Sequence, residues 1–341
     1  MSSLNVGRLN ATGTGVKFPS YATNNLPTGE VGLTVWDTTD SKLKIYNGAD
    51  WVPVPGQEDH PVGSQAFAYT GSDQAWVVPT GVTKIKVKVW GGGGGGGGTS
   101  GWSDGGRGGG GGHASGNYDV TPGQAFTIVV GQNGTQRSPT RTYGGGGRAA
   151  NTWGPGSGAG LSGVFTGGSS VFSGASPQAG AFPRSLILAG GGGGGGATRN
   201  PNSTNGGGGG GSSGANGTAN YNNNNGTGGS QGLAGTSRCT ANAGQLSGGD
   251  SQNPYGAGGG SGYYGGGAGC YQEPLDMGGG GGGSGYISGS IQGAILVSGG
   301  TGSNSPGGPG NSSDIDNQGA GTGGNTNSPG TPGRVVISWP Y

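Results

Sequence analysis

The sequence has very few charged residues and no long apolar run. Only 9% of its 341 residues are Asp, Glu, Lys or Arg, and the formal net charge is +1. No basic stripe is present, which argues against binding to nucleic acid through its phosphates. No stretch of 18 apolar residues occurs, and the opening "MSSLNVGRLN" does not resemble a secretory signal peptide. We therefore expect no nucleic-acid partner and no membrane insertion.

Residues on which catalytic and metal sites commonly depend are also scarce. Histidine occurs only at His60 and His113, without further ligands at metal-binding spacing and without a nucleophile motif. His60 falls in a linker-like segment. His113 follows a glycine run, where we expect it to form a hydrogen bond at a loop edge. No spacing among the few carboxylates selects a glycosidase pair, so we predict that the protein is not an enzyme and binds no cofactor or metal.

Two smaller features leave alternatives open. Cys239 and Cys270 fit either a disulfide or two free thiols, because a single pair of cysteines defines no disulfide framework. Asp314 and Asp316 fit either a calcium site completed by backbone oxygens or a solvated loop, and we favour the loop.

What the sequence does contain is a series of short β-strand patterns, with no amphipathic helix of useful length. In "KIKVKVW", residues 84–90, apolar residues from Ile85 to Val89 alternate with lysines from Lys84 to Lys88. This alternation predicts a strand with one buried face and one solvated lysine face. Further strands are predicted within residues 125–131, 185–190, 293–299 and 334–341.

Composition divides the chain near residue 60. Residues 1–53 hold little glycine and several period-two runs, which predict a small β-meander for attachment or oligomerisation. Residues 54–63 form a linker, and residues 64–341 form a glycine-rich domain. A unit of about 60 residues buries little surface by itself, so the N-terminal segment is expected to associate with a partner chain or with copies of itself.

Glycine supplies 96 of the 341 residues, against an average share of about 7%. The longest run, residues 91–98, directly follows the strand that ends at Trp90. No helix signal follows this run and no run ends in Gly-Lys-Ser/Thr, so neither a dinucleotide site nor a P-loop is predicted. A strict glycine at every third position, which collagen requires, is absent. A flexible linker would not alternate with apolar strands.

A glycine run can instead form a left-handed helix with three residues per turn, of the polyproline II type. Without side chains, neighbouring helices can approach closely and hydrogen-bond laterally. Ordering glycine is costly, so a single run should not hold this conformation, whereas many runs clamped by strands can share the hydrogen bonds. We therefore predict an all-β fold in which the N-terminal β-meander is followed by a β-sandwich that clamps a bundle of polyglycine II helices, with Trp90 at the junction.

Residues 75–97, "AWVVPTGVTKIKVKVWGGGGGGG", resemble the opening of glycine-rich domains in bacteriophage tail-fibre proteins. The later "FTIVVGQNG", "SLILAGGGGGGG" and "GRVVISWPY" resemble other strands of the same domain, and the likeness covers residues 64–341. The glycine runs also resemble the tip adhesins of T-even-like phages, in which glycine helices stack and hypervariable loops contact the host receptor. "GGGAGC" and "GGGGGGSGY" are similar to the glycine-rich ectodomain of anaplastic lymphoma kinase receptors, which implies a shared architecture. Residues 3–21 and 26–48 resemble short β segments of marine and cyanobacterial phage structural proteins.

The resemblance implies a virion fibre or adhesin, made in the host cytoplasm and released by lysis, that binds a host-surface protein or glycan. It also implies a homo-oligomer, taken as a trimer, whose N-terminus contacts other fibre or tail proteins of the virion. The alternatives are a purely structural virion appendage without receptor contact and, less favoured, a surface-glycan hydrolase. The segments between glycine runs are rich in residue types typical of recognition loops. The predicted receptor-binding residues are Trp102, Arg137, Arg141, Tyr143, Trp153, Arg199, Tyr221, Asn223 and Tyr271.

Overall fold

In a computed structural model, the protein consists mainly of short β-strands, which are connected by turns and by glycine runs. The structure describes residues 10–12, 15–40, 42–54, 63–98, 105–151, 154–197, 203–220, 224–238, 243–251, 256–272, 276–303 and 305–339. Across these ranges, the helical elements are two three-residue 3-10 helices, Thr23–Asn25 and Phe182–Arg184. The predicted all-β class without substantial α-helix is confirmed. The chain divides into two compact units, Met1–His60 and Pro61–Tyr341.

The N-terminal unit contains a hairpin and a four-stranded sheet. Its strands are β1 (Asn10–Thr12), β2 (Gly15–Lys17), β3 (Ser20–Tyr21), β4 (Thr34–Asp37), β5 (Lys42–Tyr46) and β6 (Trp51–Pro53). The strands β4, β5 and β6 form an antiparallel meander, and β3 pairs with β4 in parallel at one edge. The predicted meander is therefore present, with one added parallel strand.

This unit buries an ion pair beside a very small apolar core. Among its described side chains, Val35 is the one apolar residue that is fully buried. Lys44 Nζ lies 2.7 Å from the carboxylate of Asp37, which has no exposed surface, and also contacts Asp40. Burial raises the pKa of Asp37, but hydrogen bonds from Lys44, from the Thr23 hydroxyl and from two backbone N–H groups outweigh it and hold this pKa below its ordinary value.

The second unit contains two five-stranded antiparallel sheets. Its strands are β7 (Gly63–Phe67), β8 (Gln74–Val77), β9 (Lys84–Trp90), β10 (His113–Asp119), β11 (Ala125–Val129), β12 (Ser162–Thr166), β13 (Phe172–Ser173), β14 (Ser176–Pro177), β15 (Ser185–Ala189), β16 (Tyr271–Gln272), β17 (Asp276–Met277), β18 (Tyr286–Ile287), β19 (Gln292–Val297) and β20 (Arg334–Trp339). The first sheet has the order β19-β10-β9-β20-β7 and the second β18-β15-β12-β11-β8. Short hairpins are formed by β13 with β14 and by β16 with β17.

The apolar faces of the two sheets pack together as a β-sandwich. In β9, Ile85, Val87 and Val89 are fully buried in the same cluster as Phe126 and Ile128 of β11. Burying each of these side chains contributes about 1.5–3 kcal/mol. The alternation predicted for β9 is confirmed on its apolar face, and a second cluster covers the opposite face of the second sheet.

The lysine face of β9 is solvated at Lys84 and Lys86 but not at Lys88, where the prediction was wrong. Lys88 Nζ lies 2.9 Å from Asp314 Oδ1 and 2.7 Å from Asp316 Oδ2, and only 18% of its side chain is exposed. Burial opposes the charge of Lys88, but the two carboxylates raise its pKa above the ordinary value. The charge of Asp314 and Asp316 is therefore met by an ammonium group, which removes the reason to assign calcium to them.

The prediction for His113 was also wrong, because this residue begins β10 and is fully buried. Its ring centroid lies 4.6 Å from that of Trp90, and its Nε2 lies 3.4 Å from Asn311 Nδ2. Trp90 is fully buried as well, and its Nε1 donates to the carbonyl of Gly310 at 3.1 Å. The segment that follows Gly310 thus covers the outer face of the first sheet.

The glycine runs leave the β-sandwich from one end. Trp90, the last residue of β9, is paired in register with His113, the first of β10, and with Arg334, the first of β20. In the other sheet the end of β15 is likewise paired with the start of β12. The two sheets meet at this end, since Gly112 N donates to Gly190 O at 2.8 Å. We call the far end of the resulting bundle the distal end.

Within the bundle, backbone hydrogen bonds recur with a period of three residues. The N–H groups of Gly91, Gly94 and Gly97 donate to the run 105–112 at 3.0, 2.8 and 2.7 Å. The intervening N–H groups of the run 91–98 donate to residues 154–160 and 328–331 in the same alternation. Its carbonyl groups accept from residues 190–196, from Gly134 and from residues 321–327. One run therefore contacts six neighbouring segments, and each of its eight backbone N–H groups is paired.

Candidate recognition surface at the distal end of the bundle

The distal end is where the chain turns between outgoing and returning runs. Gly98 N donates to Gly154 O at 2.8 Å, and Gly196 N donates to Thr204 O at 2.7 Å. These two pairs are linked through Gly106, whose N–H donates to Gly196 O at 2.9 Å. The described residues that border the segments 99–104, 152–153 and 198–202 therefore lie together at one end of the bundle.

The structure describes four of the nine predicted site residues. Five of them, Trp102, Trp153, Arg199, Tyr221 and Asn223, lie outside the described residues. The remaining four have different environments: Tyr143 is buried, Arg141 is engaged in an ion pair, Tyr271 is partly exposed and Arg137 is exposed.

Tyr143 is a core residue, and its prediction as a receptor contact was wrong. Only 5% of its surface is exposed, and its ring packs between Tyr69 and Phe172 at centroid distances of 6.1 and 5.8 Å. Its hydroxyl donates to Asp73 Oδ1 at 2.5 Å. Burial, reinforced by Asp73, raises the pKa of Tyr143 far above its ordinary value. Tyr143 therefore stabilises the sandwich and the bundle junction.

Arg141 is held by an intramolecular ion pair. Its Nε and Nη2 atoms lie 3.0 and 2.9 Å from Asp250 Oδ2, and its Nη1 donates to Ser247 Oγ. The other oxygen of Asp250 accepts the backbone N–H of Arg148 at 3.1 Å. Arg141 thus ties residues 137–149 to the neighbouring segment that ends near residue 251, and its guanidinium is committed within the molecule.

Tyr271 lies at the start of the short hairpin formed by β16 and β17, opposite Met277. It follows Cys270, which is fully buried and disulfide-bonded, with Ser237 Oγ 3.2 Å from its sulfur. Cys239, the other cysteine of the sequence, lies outside the described residues. The hairpin is joined to the bundle by the backbone bond from Gly278 N to Cys270 O at 2.9 Å.

Several polar side chains near the distal end were not predicted from sequence. Gln136 Nε2 donates to Asn327 Oδ1 at 2.7 Å. Arg107 Nε donates to Asn325 Oδ1 at 3.1 Å, and its Nη1 donates to the carbonyl of Ser303 at 2.8 Å. These side chains bridge separate runs across their outer surface.

No local pattern in the sequence distinguishes these bridging side chains, because the two partners of each bridge lie on separate runs. Thr322, Asn325, Ser328 and Thr331 recur at intervals of three in the sequence, and each is exposed or half-buried. They do not lie on one run, because the chain turns at residues 326–327 and Thr331 N donates to Thr322 O at 2.8 Å. Their spacing therefore does not report the period of a single packed run.

Across the described part of the chain, no group of three or more His, Cys, Asp or Glu residues is arranged to hold a metal ion. Within the same residues, no helix has the length and apolar character needed to cross a membrane. No protein-family model and no curated protein matches the chain.

Proposed function

We propose that this protein is a bacteriophage virion fibre or adhesin that binds a host-surface receptor through its distal end. The observation that carries the proposal is the one-ended architecture, in which a β-sandwich anchors the glycine runs and the chain turns between them at the opposite end. A rigid scaffold that presents turns at one end is a recurrent design of binding proteins. The resemblance of residues 64–341 to phage tail-fibre domains supports the same function.

The scaffold itself we take to be a bundle of polyglycine II helices. The three-residue period of the lateral hydrogen bonds and the six neighbours of the run 91–98 support this conformation. Amide hydrogen exchange tests it, because interior N–H groups such as that of Gly193 should exchange only on cooperative opening of the bundle. Rapid exchange throughout the runs would contradict a packed bundle.

Adsorption to host cells tests the adhesin function. Alanine is placed at the predicted loop aromatics Trp102, Trp153 and Tyr221, and binding of the labelled protein to cells is measured. We expect at least a tenfold loss, because aromatic anchors commonly dominate binding energy. A matched control replaces Val77 and Ile295, which are 55% and 52% exposed on the sandwich, and should bind like the unaltered protein. Unchanged adsorption of the aromatic variant would refute the adhesin function.

A structural appendage without receptor contact is the second candidate. The bonds from Gln136 to Asn327 and from Arg107 to Asn325 are compatible with it, because such bridges stabilise the bundle whether or not it binds a ligand. Electron microscopy of virions that carry a labelled distal loop separates the two, since an adhesin should place the label at a free fibre tip. Release of products from host polysaccharide would instead favour the hydrolase.

We also propose that the N-terminal unit mediates trimer formation and attachment to other virion proteins. Its small apolar core supports this, together with the exposure of Val31 (78%) and Trp36 (39%). Mass photometry of the full chain should give three copies, and Trp36→Ser should shift the population toward monomer. A monomeric mass for the unaltered protein would refute the proposal.

A further inference from the structure

The backbone conformation of Arg137 is unusual for an arginine. Its φ is 50°, in the left-handed region that glycine adopts most easily. The chain places glycine at 96 positions, so a non-glycine residue here requires another reason. Leu246, with φ 55°, has such a reason, because its side chain is buried in the second apolar cluster. Arg137 is exposed and lacks an explanation of this kind.

The guanidinium of Arg137 has no intramolecular partner among the residues the structure describes. Its backbone N–H donates to the carbonyl of Pro155 at 2.9 Å, which holds the residue at the end of the outgoing segment 131–136. The strained backbone is therefore fixed by its surroundings while the side chain extends into solvent. Backbone strain that persists around an otherwise unused side chain is common at functional positions.

Arg148, a second arginine of the same hairpin, forms only a long ion pair. The hairpin, residues 137–149, brings Ala149 N within 2.9 Å of Ser138 O, which places Arg137 and Arg148 next to this bonded pair. Arg148 Nε lies 3.7 Å from Asp250 Oδ2, but that oxygen already accepts two N–H groups of Arg141. The side chain of Arg148 remains 45% exposed.

The charges of the hairpin do not balance. Arg141 and Arg148 share the single carboxylate of Asp250, which Arg141 neutralises, and Arg137 has no ion pair among the described residues. Two positive charges thus remain at the surface near the distal end. Guanidinium groups suit carboxylate, phosphate and sulfate groups because their planar N–H donors form paired hydrogen bonds to such oxygens.

We infer that Arg137 and Arg148 form a binding site for an acidic group of a host-surface polysaccharide. This inference deepens the proposed receptor binding and rests on it. The shared ligand chemistry is an anionic oxygen group on a sugar polymer, and the site lies beside the outgoing segment that ends at the distal surface.

The test measures binding of the full-length protein to immobilised dextran sulfate, with uncharged dextran as the reference surface. The variant Arg137→Gln/Arg148→Gln should bind about tenfold more weakly, since two exposed charge contacts each contribute a few-fold. The matched control Lys84→Gln/Lys86→Gln removes the same charge from the solvated face of β9 and should stay within about twofold of the unaltered protein. Equal losses in both variants, or no binding of dextran sulfate at all, would overturn the site.

Arg137→Gly separates recognition from structure. Glycine accepts the left-handed backbone without strain, so this variant should keep or raise the Tm while it weakens binding several-fold. A lower Tm with unchanged binding would show that Arg137 is only structural.

Binding to host cells distinguishes a failure of the proposed receptor binding from a failure of the anionic-group site. Unaltered protein that binds no host cell contradicts the proposed function itself. If the unaltered protein binds host cells, and neither the Arg137→Gly substitution nor excess dextran sulfate reduces this binding, the proposed function stands and the anionic-group inference is wrong.

Discussion

The close packing of the glycine runs makes a specific prediction for Gly193, in the middle of the run 190–196. A Cβ added at this position would lie 2.1 Å from the carbonyl oxygen of Gly280, well inside the 3.4–4 Å of ordinary van der Waals contact. Because the obstacle is backbone, the run 278–283 must move away as a whole. The hydrogen bonds from Gly280 N to Gly194 O (2.9 Å) and from Gly283 N to Gly191 O (3.0 Å) would then be broken or stretched.

The magnitude follows from those two bonds. Losing each of these two bonds costs about 1–3 kcal/mol, whereas replacing glycine by alanine recovers about 0.4–1 kcal/mol by restricting the unfolded chain. Gly193→Ala should therefore destabilise the second unit by about 2–5 kcal/mol, which corresponds to a fall in Tm of roughly 5–15 °C for a domain of this size.

Differential scanning calorimetry of a graded series provides the assay. At Gly211 the nearest atom to an added Cβ is Ser298 Oγ at 3.3 Å, and at Gly232 no atom lies within 4 Å. Alanine should be nearly neutral at Gly232, mildly destabilising at Gly211 and strongly destabilising at Gly193. If all three variants unfold at the same temperature, the runs are not in contact and the packing argument fails.

Three other outcomes follow from buried polar groups. Burial, reinforced by Lys88 and opposed by Asp314, lowers the pKa of His113 from 6.5 to about 4, so the folded state binds fewer protons than the unfolded state between these values. The unfolding free energy from urea titrations should therefore rise by up to about 3 kcal/mol between pH 4 and pH 6.5 and then level off. If the His113→Gln variant keeps the same pH dependence, groups other than His113 cause it. Tyr143→Phe should lower the free energy of unfolding by about 1–2 kcal/mol because Asp73 loses a buried donor, and it should not change cell binding. A variant of unchanged stability that binds cells more weakly would show that Tyr143 does contact the receptor. Lys88→Met should destabilise the fold by about 1–3 kcal/mol because it leaves two carboxylates without their cation. Adding Asp314→Asn and Asp316→Asn to it should recover part of that loss, and strictly additive effects in the thermal unfolding of these variants would deny the coupling.

The strands were predictable where their signal is local. The alternation in β9 predicted which residues are buried, because neighbouring side chains of a strand point to opposite faces. Lys88 and Tyr143 were mispredicted because their partners are distant in sequence: Asp314 lies 226 residues from Lys88, and Asp73 lies 70 residues from Tyr143. No pattern confined to one segment could reveal these pairs.

The candidate site was predictable only in part. Arg137 was selected by residue type and is exposed, but its left-handed backbone and its proximity to Arg148 follow from hydrogen bonds between separate segments. Gln136 and Asn327 were missed because an amide side chain carries no sign of a partner that lies 191 residues away.

By itself, the sequence determined the β class, the apolar face of β9 and the position of the longest glycine run directly after that strand. These properties depend on side chains and on spacing within one segment. The order of the runs in the bundle was decided only by the tertiary structure, because glycine runs are alike and offer no side chains by which one neighbour differs from another. The strands at one end and the non-glycine residues that interrupt the runs determine which run lies beside which. They therefore also determine which turns meet at the distal end.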